Sequence, residues 1–241
     1  MEKDVCRRAE EKVYVLFDLD GTLTDPKEGI TKCVQYALAD FGIMEPDLDA
    51  LTCFIGPPLL QSFREYYGFD EEKAKSAVAK YRERFSTIGL FENSVFDGVH
   101  EMLEKLKENG KVICLATSKP EVYAKKIIEK YGVHQYFDII VGSELDGRRT
   151  NKREVIEEVL RQASVKAESD AVSINAKPME NIRKKAIMVG DRHHDIDGAK
   201  ACRMESIGVR FGYAEPGELE EAGATYIVDT VKELEKLLLQ L

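Results

Sequence analysis

The chain has no surplus of positive charge. Its 241 residues carry 35 Lys and Arg against 44 Asp and Glu, a formal net charge of -9, so it lacks the basic face that nucleic acid or an anionic membrane requires. Neither partner is expected, and an anionic ligand has to be held by positive groups gathered locally. Paired cysteines are missing too. Cys6, Cys33, Cys53, Cys114 and Cys202 are scattered, odd in number and form no C-x-x-C pair, which argues against a disulfide framework and a zinc site. No apolar run reaches the roughly 20 residues of a membrane span, and the charged start Met1-Glu2-Lys3-Asp4 has no signal-peptide core. No internal repeat is evident. These absences predict a soluble, cytoplasmic protein with reduced thiols. Its 44% hydrophobic content is enough to build one large domain or two modest ones.

What is present alternates. Apolar strands are expected at Val13 to Phe17, Val112 to Ala116, Phe137 to Val141, Ala186 to Val189, Ile207 to Val209 and Tyr226 to Val228, with helical patterns between most of them. That order predicts an α/β fold with a largely parallel sheet. Val99, Met102, Leu103 and Leu106 share one helical face before Gly110, a C-cap residue. Val122, Ile127 and Ile128 repeat the pattern before Gly132.

One interval breaks the rhythm. A strand-to-strand crossover needs on the order of a dozen residues, yet the first two strands are separated by far more. The excess, residues 25 to 95, predicts an inserted all-helical unit. Asp25-Pro26-Lys27-Glu28 reads as a helix start with a capping box, followed by a stripe of Ile30, Cys33, Val34, Ala37, Leu38 and Phe41. Two further helices are expected from about Pro57 to Tyr67 and from about Glu71 to Phe85, with no strand between. The remainder, residues 1 to 24 and 96 to 241, forms the core. The polar segment Ala163 to Asn181 is expected to be a long surface connection.

Chemistry gathers at strand ends. Asp18-Leu19-Asp20-Gly21-Thr22-Leu23 directly follows the first strand, so two carboxylates face the crevice where open α/β sheets bind ligands. Thr117-Ser118-Lys119-Pro120 closes the second strand, Lys152 stands before the helix of Val155, Val159 and Leu160, and Gly190-Asp191-Arg192-His193-His194-Asp195 ends a later strand. In this order the four elements resemble the haloacid dehalogenase superfamily, and most nearly its phosphoglycolate phosphatase-like branch. The resemblance implies a Rossmann-like core under a mobile helical cap. It also implies hydrolysis of a small-molecule phosphate ester through an aspartyl phosphate. Asp18 would be the nucleophile and Asp20 the acid and base, with Thr22 steadying the nucleophile. Thr117 and Ser118 would bind the phosphoryl oxygens, although Ser118 stands where asparagine is frequent in the family. The family's lysine matches Lys152, with Lys119 as competitor. Mg2+ would be held by Asp18, the backbone carbonyl of Asp20, Asp191 and, directly or through water, Asp195.

His193 and His194 are neighbours whose side chains are expected to diverge, which disfavours zinc, and Asp197 is expected to cap the following helix. Arg148, Arg149 and Arg153 read as ordinary surface charge. Competing functions are a 5'-nucleotidase or other sugar or nucleotide phosphatase, a phosphomutase, and a non-enzymatic phospho-accepting regulator. Asp20 argues against the regulator, which has no use for an acid beside the nucleophile. The Phe54 to Pro58 loop is a candidate for substrate selection, and the chain is expected to be a monomer or homodimer.

Overall fold

The computed structural model describes residues 13–170 and 178–241. Eight strands are present among them: β1 (Tyr14–Phe17), β2 (Thr24–Asp25), β3 (Ser94–Val95), β4 (Val112–Pro120), β5 (Ile139–Ser143), β6 (Ala186–Gly190), β7 (Glu205–Val209) and β8 (Tyr226–Val228). Six of these form a parallel sheet in the order β5-β4-β1-β6-β7-β8. The expected α/β core is therefore present. Tyr14 lies opposite both Val112 and Ala186, so β1 is central and the chain order reverses across it. Crevices form at such reversals, outside the carboxyl ends of the strands.

Alternate residues of β1 face opposite layers, as strand geometry requires. Val15 and Phe17 join the apolar cluster of α4 (Val99–Glu108), α5 (Glu121–Lys130) and α10 (Val231–Gln240). Tyr14 and Leu16 join the other cluster, formed with α6 (Lys152–Asp170), α7 (Pro178–Arg183) and α8 (His193–Ala201). A short α9 (Glu218–Ala222) lies between β7 and β8.

The long interval between β1 and β4 is helical. It contains α1 (Lys27–Ala39), α2 (Leu59–Tyr67) and α3 (Glu71–Phe85), with 3-10 turns at Asp49–Phe54 and Gly89–Phe91. Ile30, Cys33, Val34, Ala37 and Leu38 pack with Phe54, Phe63, Tyr81 and Phe85 in the cluster that continues into one face of the sheet.

Four local expectations are corrected. The insert is bounded by a two-residue antiparallel ribbon, Thr24 opposite Val95 and Asp25 opposite Ser94, which is too short to carry a visible period-two pattern. Asp25 accepts the Lys27 N–H at 3.0 Å and the Tyr213 hydroxyl, but the reciprocal half of the capping box is missing, because the Glu28 side chain pairs with Lys32 instead. The second insert helix starts at Leu59, after Pro58 in an extended conformation. Most of the expected surface connection after Ala163 is helix, since α6 runs to Asp170 and α7 starts at Pro178. Surface pairs such as Arg161 with Glu158 support a helix there without an apolar stripe. Residues 171–177 of that segment lie outside the described residues.

Candidate active site

The turn after β1 gives the site its shape. The Leu19 carbonyl accepts the N–H groups of Thr22, Leu23 and Thr24, and Gly21 N–H donates to the Thr24 carbonyl at 2.7 Å. Gly21 has φ +82, and a Cβ there would lie 2.1 Å from Asp191 Oδ2. Only glycine fits both the backbone and the close approach. Asp18 and Asp20 are thereby both buried beside the crevice, at 6% and 8% exposure.

Lys152, the first residue of α6, joins the turn after β1, strand β4 and helix α8. Its ammonium lies 2.7 Å from Asp18 Oδ1 and 2.7 Å from Asp195 Oδ1, and donates to the Ala116 carbonyl at 3.0 Å. Burial disfavours its charge, but the Asp18 and Asp195 carboxylates outweigh burial and raise its pKa above the ordinary lysine value. Of the two candidate lysines, Lys152 pairs with Asp18 and Lys119 with Asp20.

Asp191 is fully buried and accepts from the Thr22 hydroxyl at 3.3 Å and from the Tyr213 N–H at 2.8 Å. The Thr22 hydroxyl thus meets Asp191, a contact not expected from the sequence. Asp195 Oδ2 accepts the Arg192 N–H at 3.2 Å, closing the amino end of α8. Burial first, then the neighbouring Asp195 and Asp18 charges, drives the Asp191 carboxyl well above its ordinary value. Burial likewise lifts Asp195 to about 6 against the pull of Lys152.

Ligand atoms of Asp18, Asp191 and Asp195 lie within 4.8 Å of one another. Two of these three buried carboxylates, Asp18 and Asp195, share the Lys152 ammonium, and Asp191 and Asp195 have raised pKa values. A divalent cation fits this all-oxygen, electron-rich cluster, and hard ions prefer such donors.

Asp20 has a different partner. Lys119 Nζ lies 2.5 Å from Asp20 Oδ2 and 4.8 Å from the Phe85 ring centroid, while Asp20 Oδ1 is buried with no hydrogen-bond partner. Burial raises the Asp20 pKa, and Lys119 opposes the rise. Thr117 is buried, and its hydroxyl accepts the Lys119 N–H at 3.2 Å. β4 extends past the expected end at Ala116 to Pro120 with a register shift, so Thr117 and Ser118 stand within its irregular last turn rather than after it.

Asp20, Ser118 and Lys119 line a cavity of about 410 Å³ between the core and the insert. Its other walls are mainly apolar and aromatic, including Phe54, Pro57, Tyr81, Phe85 and Tyr123. The Phe54 to Pro58 loop thus borders the same space as Asp20.

Other expectations need adjustment. The His193 and His194 rings do not diverge but sit 3.8 Å apart, centroid to centroid. Neither belongs to the acidic cluster, and burial first, then His193, Arg192 and Lys152, lowers His194 to about 4. Asp197 lies inside α8 and meets His193 Nδ1 at 3.1 Å, so it caps nothing. Arg149 is more than surface charge: it donates to the Gly142 carbonyl at 2.9 Å and pairs with Glu144 at 2.7 Å. Tyr213 and Thr22 as partners of Asp191 are not legible in the sequence, because each contact joins segments far apart along the chain.

A parallel sheet with buried carboxylates gathered beside the carboxyl ends of its strands is the frame of this site. The profile described as haloacid dehalogenase-like hydrolase matches residues 15–209, and the chain belongs to that family. It is 46% identical over 224 residues to a 5'-nucleotidase of Pseudomonas aeruginosa, covering 93% of this chain and 94% of that one. A crystal structure of a predicted phosphatase from Clostridium acetobutylicum superposes with TM-score 0.85 at 46% identity, covering 95% and 99% of the two chains. A tyrosine-protein kinase, PtkA of Mycobacterium tuberculosis, is 33% identical over 95% of this chain and 73% of its own length. Phosphoglycolate phosphatase 1 of Pseudomonas aeruginosa is 26% identical over 91% of this chain and 77% of its own. The family and its phosphatase members place this chain among the phosphoric monoester hydrolases. Among the described residues, no helix is long and apolar enough to cross a membrane.

Proposed function

We propose that the protein is a magnesium-dependent phosphatase that works through an aspartyl phosphate on Asp18, and that its substrates are nucleoside 5'-monophosphates. The observation that carries the chemistry is the Lys152 ammonium 2.7 Å from both Asp18 and Asp195, beside the separately paired Asp20. The substrate reading rests on the aromatic cavity next to Asp20 and the 46% identity to a 5'-nucleotidase. A two-carbon substrate such as phosphoglycolate would use little of a 410 Å³ cavity, which favours the nucleotide alternative as substrate.

In this reading the Asp18 carboxylate attacks phosphorus, the bond from phosphorus to the ester oxygen breaks, and Asp20 protonates that oxygen. Its raised pKa suits it to carry the proton. Asp20 then takes a proton from water, which attacks phosphorus and frees Asp18 and inorganic phosphate. Lys152, Thr117 and Ser118 hold the phosphoryl oxygens. Asp18, Asp191, Asp195 and the Asp20 carbonyl would hold Mg2+, which would supply positive charge to the phosphoryl group. Residues 25 to 95 would act as the cap domain over a core of residues 1 to 24 and 96 to 241, excluding water around the ester.

The test is phosphate release from a metabolite panel with and without magnesium. Nucleoside 5'-monophosphates should rank first, and phosphate should appear free rather than moved within a sugar phosphate, as a mutase would do. Asp18→Asn should keep the fold and lose at least about a thousandfold in turnover, as expected for removal of a nucleophile. Near-native rates in that variant would overturn the assignment.

A further inference from the structure

Arg192 stands between two acids of the active site yet points its charge elsewhere. It is buried, and its Nε lies 2.9 Å from Glu218 Oε1. Its other arm crosses to the insert, where Nη1 donates to the Ile55 carbonyl at 2.8 Å. Gly56 follows with φ +102, and a Cβ there would come within 3.0 Å of Arg192 Cγ. The side chain therefore packs flat against the turn as well as bonding to it.

Glu218 is itself fixed. It accepts the His193 N–H at 2.8 Å and the Glu215 N–H at 2.9 Å, so the guanidinium has a rigid anchor on the core side. A planar, buried guanidinium spanning two fixed acceptors is strongly oriented. On the insert side, the residues it holds are flanked by Phe54, Pro57 and Pro58, which line the cavity together with Gly56.

We propose that Arg192 is a positioning residue that fastens the Ile55-Gly56 turn to the core and so sets the cavity wall against which the leaving group of the ester packs. This rests on the phosphatase reading above and deepens it: Arg192 touches no reacting atom, but it would decide which leaving groups fit. Esters that fill the cavity depend on it, while esters with a very small leaving group do not.

The test uses the full chain and Arg192→Met, which keeps the aliphatic stem and removes both bonds. The probes are adenosine 5'-monophosphate, whose nucleoside reaches into the cavity, and acetyl phosphate, whose acyl group does not. Amide hydrogen exchange over residues 54–62 should speed by about tenfold, the scale expected for one lost charge-assisted hydrogen bond. KM for adenosine 5'-monophosphate should rise by about tenfold with kcat within about twofold, while kcat/KM for acetyl phosphate changes by less than about threefold, as expected when only leaving-group binding is lost.

Should Arg192→Met not fold, Gly56→Ala strains the turn from the other side and should reproduce the faster exchange and the raised KM. Unchanged exchange over residues 54–62, or equal loss on both probes, would overturn the proposal and leave Arg192 as an ordinary fold contact. A wild-type protein inactive on adenosine 5'-monophosphate would instead count against the nucleotide reading, and the exchange measurement would still decide the role of Arg192.

Discussion

Asp20 is held between two opposing influences, burial that favours its neutral form and Lys119 that favours its charge. An acid for the leaving oxygen needs the first and a base for water needs the second, so one residue can serve both steps. This gives a leaving-group test. An alkyl phosphate departs as a poor alkoxide and needs the proton, whereas an aryl ester departs as a stabilised phenolate. Asp20→Asn should slow single-turnover phosphorylation of Asp18 by about a hundredfold or more for an alkyl phosphate and much less for an aryl phosphate. Rapid-quench measurement of the phosphorylated enzyme checks this, and equal losses would reduce Asp20 to a structural role. The two carboxylates were legible in the sequence because a D-x-D at the end of an apolar strand is a local pattern. The Lys119 ion pair was not, since it depends on how the last turn of β4 lies beside the turn after β1.

At the scale of elements, the insert closes on itself through Arg84 of α3 and Glu92 beyond the 3-10 turn. The two form a fork at 2.6 and 2.9 Å, and Arg84 also donates to Cys33 Sγ of α1 at 3.2 Å. The Arg84 guanidinium, against partial burial, holds the Glu92 carboxyl below the ordinary value of 4.5. The folded state therefore binds this proton less readily than the unfolded state. The stabilisation is fully present above pH about 4.5 and declines as pH falls through the lowered folded value. Glu92→Gln should lower the urea midpoint at neutral pH by the equivalent of about 0.5 to 1 kcal/mol, the partly exposed pair being screened by solvent. The gap between variant and wild type should shrink as pH falls below about 4.5, which a series of urea titrations would show. The sheet strands were readable because strands buried on both faces are unbroken apolar runs. The outer turns of α6 and the ribbon of β2 with β3 were not, one being too polar and the other too short to show a period.

At the scale of the whole molecule, the acidic cluster concentrates more negative charge than its lysine can balance. A divalent cation that binds only the folded state should raise stability by about 2.7 kcal/mol at a hundred times its dissociation constant. Thermal unfolding with added magnesium should show a higher midpoint, and Asp191→Asn should remove most of that gain. No shift in the wild type would refute the metal assignment independently of activity. The acids of the cluster were legible from their motifs, but Tyr213 and Arg192 were not, because their partners Asp25, Asp191 and Ile55 sit in other parts of the chain. The distances along the chain carry a consequence for biogenesis. Lys152 meets Asp18 across 134 residues, and Thr22 meets Asp191 across 169. Contacts of such range form slowly, after loop-closure entropy has been overcome. A chain still emerging from the ribosome carries Asp18 from the start but lacks the lysine and acids that complete its surroundings. In the proposed reading, the site is incomplete until the central strand has neighbours on both sides.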